Sequence, residues 1–136
     1  EELQTTAQQH PCVVYHGIVM NDEVVQAEMD ADLLINPRPT HEEFTKYSFP
    51  SKNMEYMASG TPVLTTNLPG MPEEYKPYVY LIEDESVEGF AQAIRITFEI
   101  ARNERDKKGI DAQRFVLDKK SNILQCKYVL SMLEEK

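Results

Sequence analysis

Short, continuous apolar runs and stretches with a period near 3.6 residues follow one another along this chain, and the order in which they come predicts its elements. Leu3 and Ala7 sit at i, i+4 ahead of Pro11, which predicts a helix over residues 1–9. Residues 12–19, from Cys12 to Val19, form a nearly continuous β-branched run with Gly17 toward its end, the pattern of a strand buried on both faces. Asn21 and Asp22 offer N-caps to a short helix with a narrow apolar face of Val24, Val25 and Met29. Asp30, Ala31 and Asp32 then turn the chain into a second strand over residues 33–37. From there to Pro50 no apolar periodicity exists, so a long loop follows a strand's carboxyl end.

The next helix opens at Ser48-Phe49-Pro50-Ser51-Lys52 and closes at Ala58-Ser59-Gly60. Pro50 suits a first turn, where its missing N–H bonds nothing, and Gly60 suits the left-handed position past a helix end. Met54, Met57 and Ala58 make the inward face, whereas Lys52, Glu55 and Ser59 fall on another. A third strand covers residues 61–66, a Pro- and Gly-containing turn 67–75, and a fourth strand 78–82. Ser86 caps a helix whose stripe is Val87, Phe90, Ile94, Phe98 and Ala101. Residues 103–109 read as a charged linker, after which Phe115, Val116, Ile123, Cys126, Leu130 and Leu133 resume helical spacing as core or domain contact.

Buried strands alternating with amphipathic helices predict an α/β fold, a Rossmann-like doubly wound parallel sheet with helices on both faces. Ligands of such sheets bind outside the carboxyl ends of the strands, which directs attention to the loops there. The composition, 136 residues with 41% hydrophobic, 27% charged, five Gly and eight Pro, suits one compact domain. A net charge of −9 argues against nucleic acid and an anionic membrane surface, because either polyanion would be repelled over most of the chain. Cys12 and Cys126 stand at opposite ends with no C-x-x-C and no His at ligand spacing, so neither a zinc site nor a disulfide scaffold is expected. Glu83-Asp84-Glu85 reads as a solvated turn rather than a metal site. With no signal peptide and no apolar run near the ~20 residues of a membrane helix, direct membrane insertion is not expected, and a reducing, cytoplasmic setting is.

Lys52 sits in a helix's first turn, where its charge opposes the macrodipole, so an anion is expected nearby. On spacing alone, Lys52 and Glu55 are an i,i+3 ion pair, and His16 is either packed, solvated or a ligand contact at a strand end. The wording Phe49-Pro50-Ser51-Lys52-x-x-Glu55-Tyr56-Met57-Ala58-Ser59-Gly60-x-Pro62-Val63-Leu64 resembles the donor-site helix of the retaining GT-B glycosyltransferases of family four, group 1. The resemblance implies that Glu55 hydrogen-bonds the ribose hydroxyls of a nucleotide sugar and that Lys52 reaches its diphosphate, with Ser51 beside them. Arg38 is a candidate on other grounds, as a polar member of the loop at the second strand's carboxyl end, while the resemblance brings in Gly70 and Met71 in the turn after the third strand, where backbone N–H groups near Gly70 would hold phosphate oxygens. Many relatives carry a Glu-x7-Glu pair, but eight residues before Glu55 stands Tyr47, which leaves Glu42 or Glu43 as substitutes.

The likeness covers roughly residues 13–94. It implies that residues 1–136 are a single donor-binding domain, the carboxy-terminal half of a GT-B enzyme, lacking that half's first strand and the amino-terminal domain. The implied reaction is retaining transfer of sugar from a UDP-, GDP- or ADP-sugar to a hydroxyl acceptor, in surface polysaccharide or glycan synthesis, with no cofactor and no metal demanded. The other expected partner is the amino-terminal domain, which would place the enzyme in the cytoplasm, or at the inner face of the membrane. Two alternatives are a GT-B-like sugar-nucleotide epimerase and a non-catalytic flavodoxin-like interaction domain.

Overall fold

A computed structural model of the chain describes residues 2–47 and 51–134. The expected opening of the central helix over residues 48–50, with Pro50 in its first turn, lies outside the described residues. The elements are α1 (Glu2–Gln9), α2 (Asn21–Asp30), β1 (Leu34–Asn36), α3 (Ser51–Ser59), β2 (Val63–Thr66), β3 (Tyr80–Ile82), α4 (Val87–Glu99), α5 (Arg102–Lys119) and α6 (Asn122–Glu134), with 3-10 turns at Glu43–Lys46 and Glu73–Tyr78. Among the described residues the strands form one parallel sheet in the order β1-β2-β3, Ile35 facing Leu64 and Thr65 facing Leu81. This is the α/β, Rossmann-like arrangement expected, a parallel sheet flanked by helices.

Side chains alternate across the strands, so Val63 and Leu64 face opposite ways. Val63 joins Met57 of α3, Leu68, Met71, Tyr75, Val79 and the α5 residues Ala112, Phe115 and Val116 in the core cluster. Leu64 and Ile82 are equally buried but outside that cluster, and α4 packs against β3. The end of α3 shows why α5 is where it is. Gly60 takes φ +85 past the helix end, its N–H bonding Met57 O at 3.2 Å, and Gln113 Nε2 of α5 donates to Ala58 O at 2.9 Å. These bonds satisfy carbonyls that a helix end leaves open.

Several expectations are corrected. Residues 12–19 form no strand: Val13, Val14, Tyr15 and Ile18 are exposed, since an extended run needs a neighbour for its N–H and C=O groups and among the described residues no strand pairs with it. Gly17 does adopt φ +71 there. The N-cap of α2 is Met20, without a side-chain bond, rather than Asn21 or Asp22. Residues 103–109 are no linker but the first half of α5, whose buried positions Arg105, Gly109, Ala112 and Val116 keep helical spacing without being uniformly apolar. Ser86 caps α4 as expected, accepting from Gly89 N at 3.0 Å, but Val87, Phe98 and Ala101 of the predicted stripe are exposed and the buried position is Thr97. The α6 stripe of Ile123, Cys126, Leu130 and Leu133 is exposed and forms no core. Among the described residues, no helix is long and apolar enough to cross a membrane and no cluster of His, Cys, Asp and Glu is arranged for a metal.

Candidate functional site

The carboxyl ends of β1 and β2 and the start of α3 meet in a buried polar network. Asn53, one residue after Lys52, is 1% exposed and faces the strands. Its Oδ1 accepts from Asn36 Nδ2 at 2.6 Å, and its Nδ2 donates to Thr65 Oγ1 at 3.2 Å and lies 4.0 Å from Met71 Sδ. Thr65 Oγ1 also donates to Asn36 O at 3.1 Å, and Thr66 Oγ1 to Arg38 O at 2.6 Å. A side chain that bonds both strand ends fixes the rotation of α3 about its axis, because shifting it would leave buried polar groups without partners. The inward face of α3 is thus Asn53 and Met57, with Met54 and Ala58 half-buried beside them.

That rotation sends Lys52 and Tyr56 toward α2, with Glu55 exposed beside Lys52. Lys52 Nζ lies 2.9 Å from Glu55 Oε2 and 3.2 Å from Glu28 Oε1, and 5.2 Å from the centroid of the Tyr56 ring. The two carboxylates differ sharply: the Glu28 side chain is 7% exposed and that of Glu55 41%. Burial alone would lower the Lys52 ammonium below its usual range, but hydrogen bonds to Glu55 and Glu28 outweigh this and raise it. Burial also raises the Tyr56 phenol, with Lys52 pulling the other way. The anion expected beside a cation in this first turn is therefore the protein's own, and with both carboxylates ionised the trio carries an excess of negative charge. Lys52 and Tyr56 line a groove of about 800 Å³ between α2 and α3, together with His16, Val19, Asp22 and Glu28.

The six candidate residues fall into two groups. Ser51, Lys52 and Glu55 share the first turns of α3, with Ser51 exposed and Lys52 bonded to Glu55. Arg38, Gly70 and Met71 lie on the loops that follow β1 and β2, so all six stand at the carboxyl edge of the sheet. Met71 is 4% exposed and packs in the core, so it reaches the edge through its contact with Asn53. Tyr47 is 84% exposed, and Glu42 and Glu43 are exposed at the turn that ends in Lys46. The loop after β1 is held from another quarter: Glu85 accepts from Thr40 N at 3.1 and 3.2 Å, while Asp84 accepts from Ser86 N at 2.9 Å. Of the turn expected to be solvated, Glu83 and Asp84 are exposed, while Glu85 is half-buried and holds the loop after β1.

Sequence reasoning missed Glu28 and Asn53, since each occupies the centre of a face read for apolar residues. The signal for Glu28 was its spacing, midway between Val24 and Ala31 on the side of α2 that packs, where Val25 and Met29 are exposed. A scan of protein families matches residues 1–99 to the family model described as "Glycosyl transferases group 1". Searches of curated proteins and of solved structures gave no match.

Proposed function

Because the chain belongs to the group 1 glycosyltransferases, we propose that it is the carboxy-terminal, donor-binding half of a two-domain retaining enzyme, and that it binds a nucleoside diphosphate sugar at the start of α3. The observation that carries this reading is the placement of Lys52 and Glu55 on adjoining turns at the carboxyl edge of a parallel sheet, beside a groove of about 800 Å³. An acceptor-only carboxylate can take two ribose hydroxyl donors, and an ammonium at a helix start neutralises phosphate oxygens. In the free chain these two groups satisfy each other, so donor binding exchanges the Lys52–Glu55 pair for bonds to the ligand. Arg38, Ser51 and the backbone near Gly70 complete the diphosphate's surroundings, with Met71 beneath them.

The transfer itself breaks the bond between the anomeric carbon and the diphosphate oxygen and forms one to an acceptor hydroxyl, whose proton is released. In this reading the chain's contribution is to stabilise the departing diphosphate, while an amino-terminal domain supplies the acceptor. The pathway is glycan or surface-polysaccharide synthesis on the cytoplasmic side. The test is a thermal-shift panel of UDP, GDP and ADP on this chain. A ligand at a hundred times its dissociation constant adds about 2.7 kcal/mol, a resolvable rise in melting temperature. No shift with any of the three defeats the reading, and sugar transfer by this chain alone defeats its assignment as half an enzyme.

A further inference from the structure

Of the two carboxylates on Lys52, one is fixed and one is free to move, and the difference has a use. Glu28 is 6% exposed, and its helix is tied to the loop behind α3 because Thr61 Oγ1 donates to Glu28 O at 2.6 Å. The residue therefore cannot leave without dragging α2 or burying an unpaired charge. Glu55 sits on the exposed side and can rotate away. We infer that Glu28 is a positioning residue, a buried anchor that keeps the Lys52 ammonium in the lining of the α2–α3 groove when Glu55 lets go of it to meet a ligand. This rests on the reading that Lys52 meets a diphosphate. Without the anchor, Lys52 has a flexible four-carbon stem, and its ammonium is shared among many rotamers once Glu55 turns away.

Charge and position make opposite demands at this residue, which allows them to be separated. As a charge alone, Glu28 repels an incoming diphosphate, and any variant that removes the charge should bind it more tightly. As an anchor, it is replaced by a side chain of the same reach and lost with a shorter one. Glu28→Gln keeps the length and an acceptor oxygen toward Lys52, Glu28→Asp keeps the charge but not the reach, and Glu28→Ala removes both.

The experiment is calorimetric titration of UDP, GDP and ADP, each alongside its nucleoside, onto the wild-type chain, the three Glu28 variants and Lys52→Ala, with melting curves to check folding. Positioning predicts that Glu28→Gln binds the preferred diphosphate within about threefold of wild type, whereas Glu28→Asp and Glu28→Ala bind it about tenfold more weakly, the size of a lost charge-assisted bond. Nucleoside affinity stays level throughout. In the Lys52→Ala background the Glu28 substitutions should have no further effect, because Glu28 acts through that lysine. The anchor role is overturned if Glu28→Asp and Glu28→Ala bind the diphosphate as wild type does, if nucleoside and diphosphate affinities fall together, or if the losses persist without Lys52. Should Lys52→Ala itself leave diphosphate binding intact, or should wild type bind none, the site reading fails and the anchor falls with it. If Glu28→Ala does not fold, the Asp and Gln variants alone decide between position and charge.

Discussion

Lys52 holds two ion pairs whose energies differ because their surroundings differ. The pair with Glu55 is an exposed i,i+3 contact worth about 0.2–0.5 kcal/mol. The pair with Glu28 reaches a carboxylate that is 7% exposed, and stripping the cation from a buried carboxylate costs about 3–5 kcal/mol when both partners are buried. Lys52 is itself 43% exposed, so water and salt take over part of its role, and a loss of about 1–3 kcal/mol is expected for Lys52→Ala. Chemical denaturation checks it, and the same substitution in a Glu28→Gln background should cost much less, since no buried charge is left unpaired. Glu55→Gln belongs to the other regime. It should alter stability by no more than about 0.5 kcal/mol and weaken every ribose-containing ligand roughly ten- to hundredfold, because an amide offers two hydroxyls one acceptor oxygen. Paired titration and melting of the same preparation separate the outcomes: unchanged affinity would return Glu55 to a mere surface pair.

Among the elements, the contact between α3 and α5 depends on an absent side chain. A Cβ built on Gly109 would stand 2.1 Å from Gly60 O and 2.9 Å from Pro62 N, both backbone atoms that cannot swing aside. Gly109→Ala should therefore destabilise at the upper end of the ~1–3 kcal/mol typical of overpacking, even though Ala is the better helix former by about 1 kcal/mol. A melting curve at or above wild type would mean that the helices separate freely. The same glycine shows why this helix was hard to read. Arg105 and Gly109 occupy buried positions, Arg105 donating to Phe98 O and Ile100 O at 3.1 and 2.7 Å, so a search for apolar residues sees a charged linker where helical spacing runs unbroken. By contrast β1, β2, β3, α3 from Ser51 onward and the Ser86 cap were legible, because enough apolar positions (Leu34 and Ile35, Val63 and Leu64, Leu81 and Ile82, Met54 and Met57) mark the strands and the helix face even where Thr65, Thr66 and Asn53 are buried among them, and because Gly and Ser act through local backbone chemistry. The apolar run from Cys12 to Val19 misled for the converse reason: strand pairing is a property of two segments, and one segment's composition cannot supply the other. The candidate site divided likewise, with Lys52 and Glu55 visible on a helix surface and Glu28 and Asn53 hidden in faces that pack.

At the scale of the whole molecule, the titrating groups that the fold perturbs among the described residues lie mostly on one side of neutrality. Burial raises the phenols of Tyr56, Tyr75 and Tyr80. Lys52 is raised by Glu55 and Glu28 against its own burial, and Lys120 chiefly by its hydrogen bond to Glu74. In each of these five the folded chain holds its proton more tightly than the unfolded chain does. Their contribution is complete below the ordinary range, near 10 for Tyr and 10.4 for Lys, and is lost as pH rises through the raised values. Lys108, lowered by burial, works the other way, gaining as pH approaches the ordinary Lys value, but it is one group against five. Net charge adds to the alkaline loss: at −9 near neutrality, each lysine that gives up its proton increases the self-repulsion of the compact state. On the acid side, Asp84 is lowered by its bond from the Ser86 backbone, so its contribution stands above the ordinary Asp range and fades as pH falls below it. The melting temperature should therefore be level between about pH 8 and 9 and fall steeply above about 10. A melting temperature that holds to about pH 11 would contradict this, as would an unchanged alkaline slope in Tyr56→Phe, which removes one of the raised phenols and should make the fall shallower.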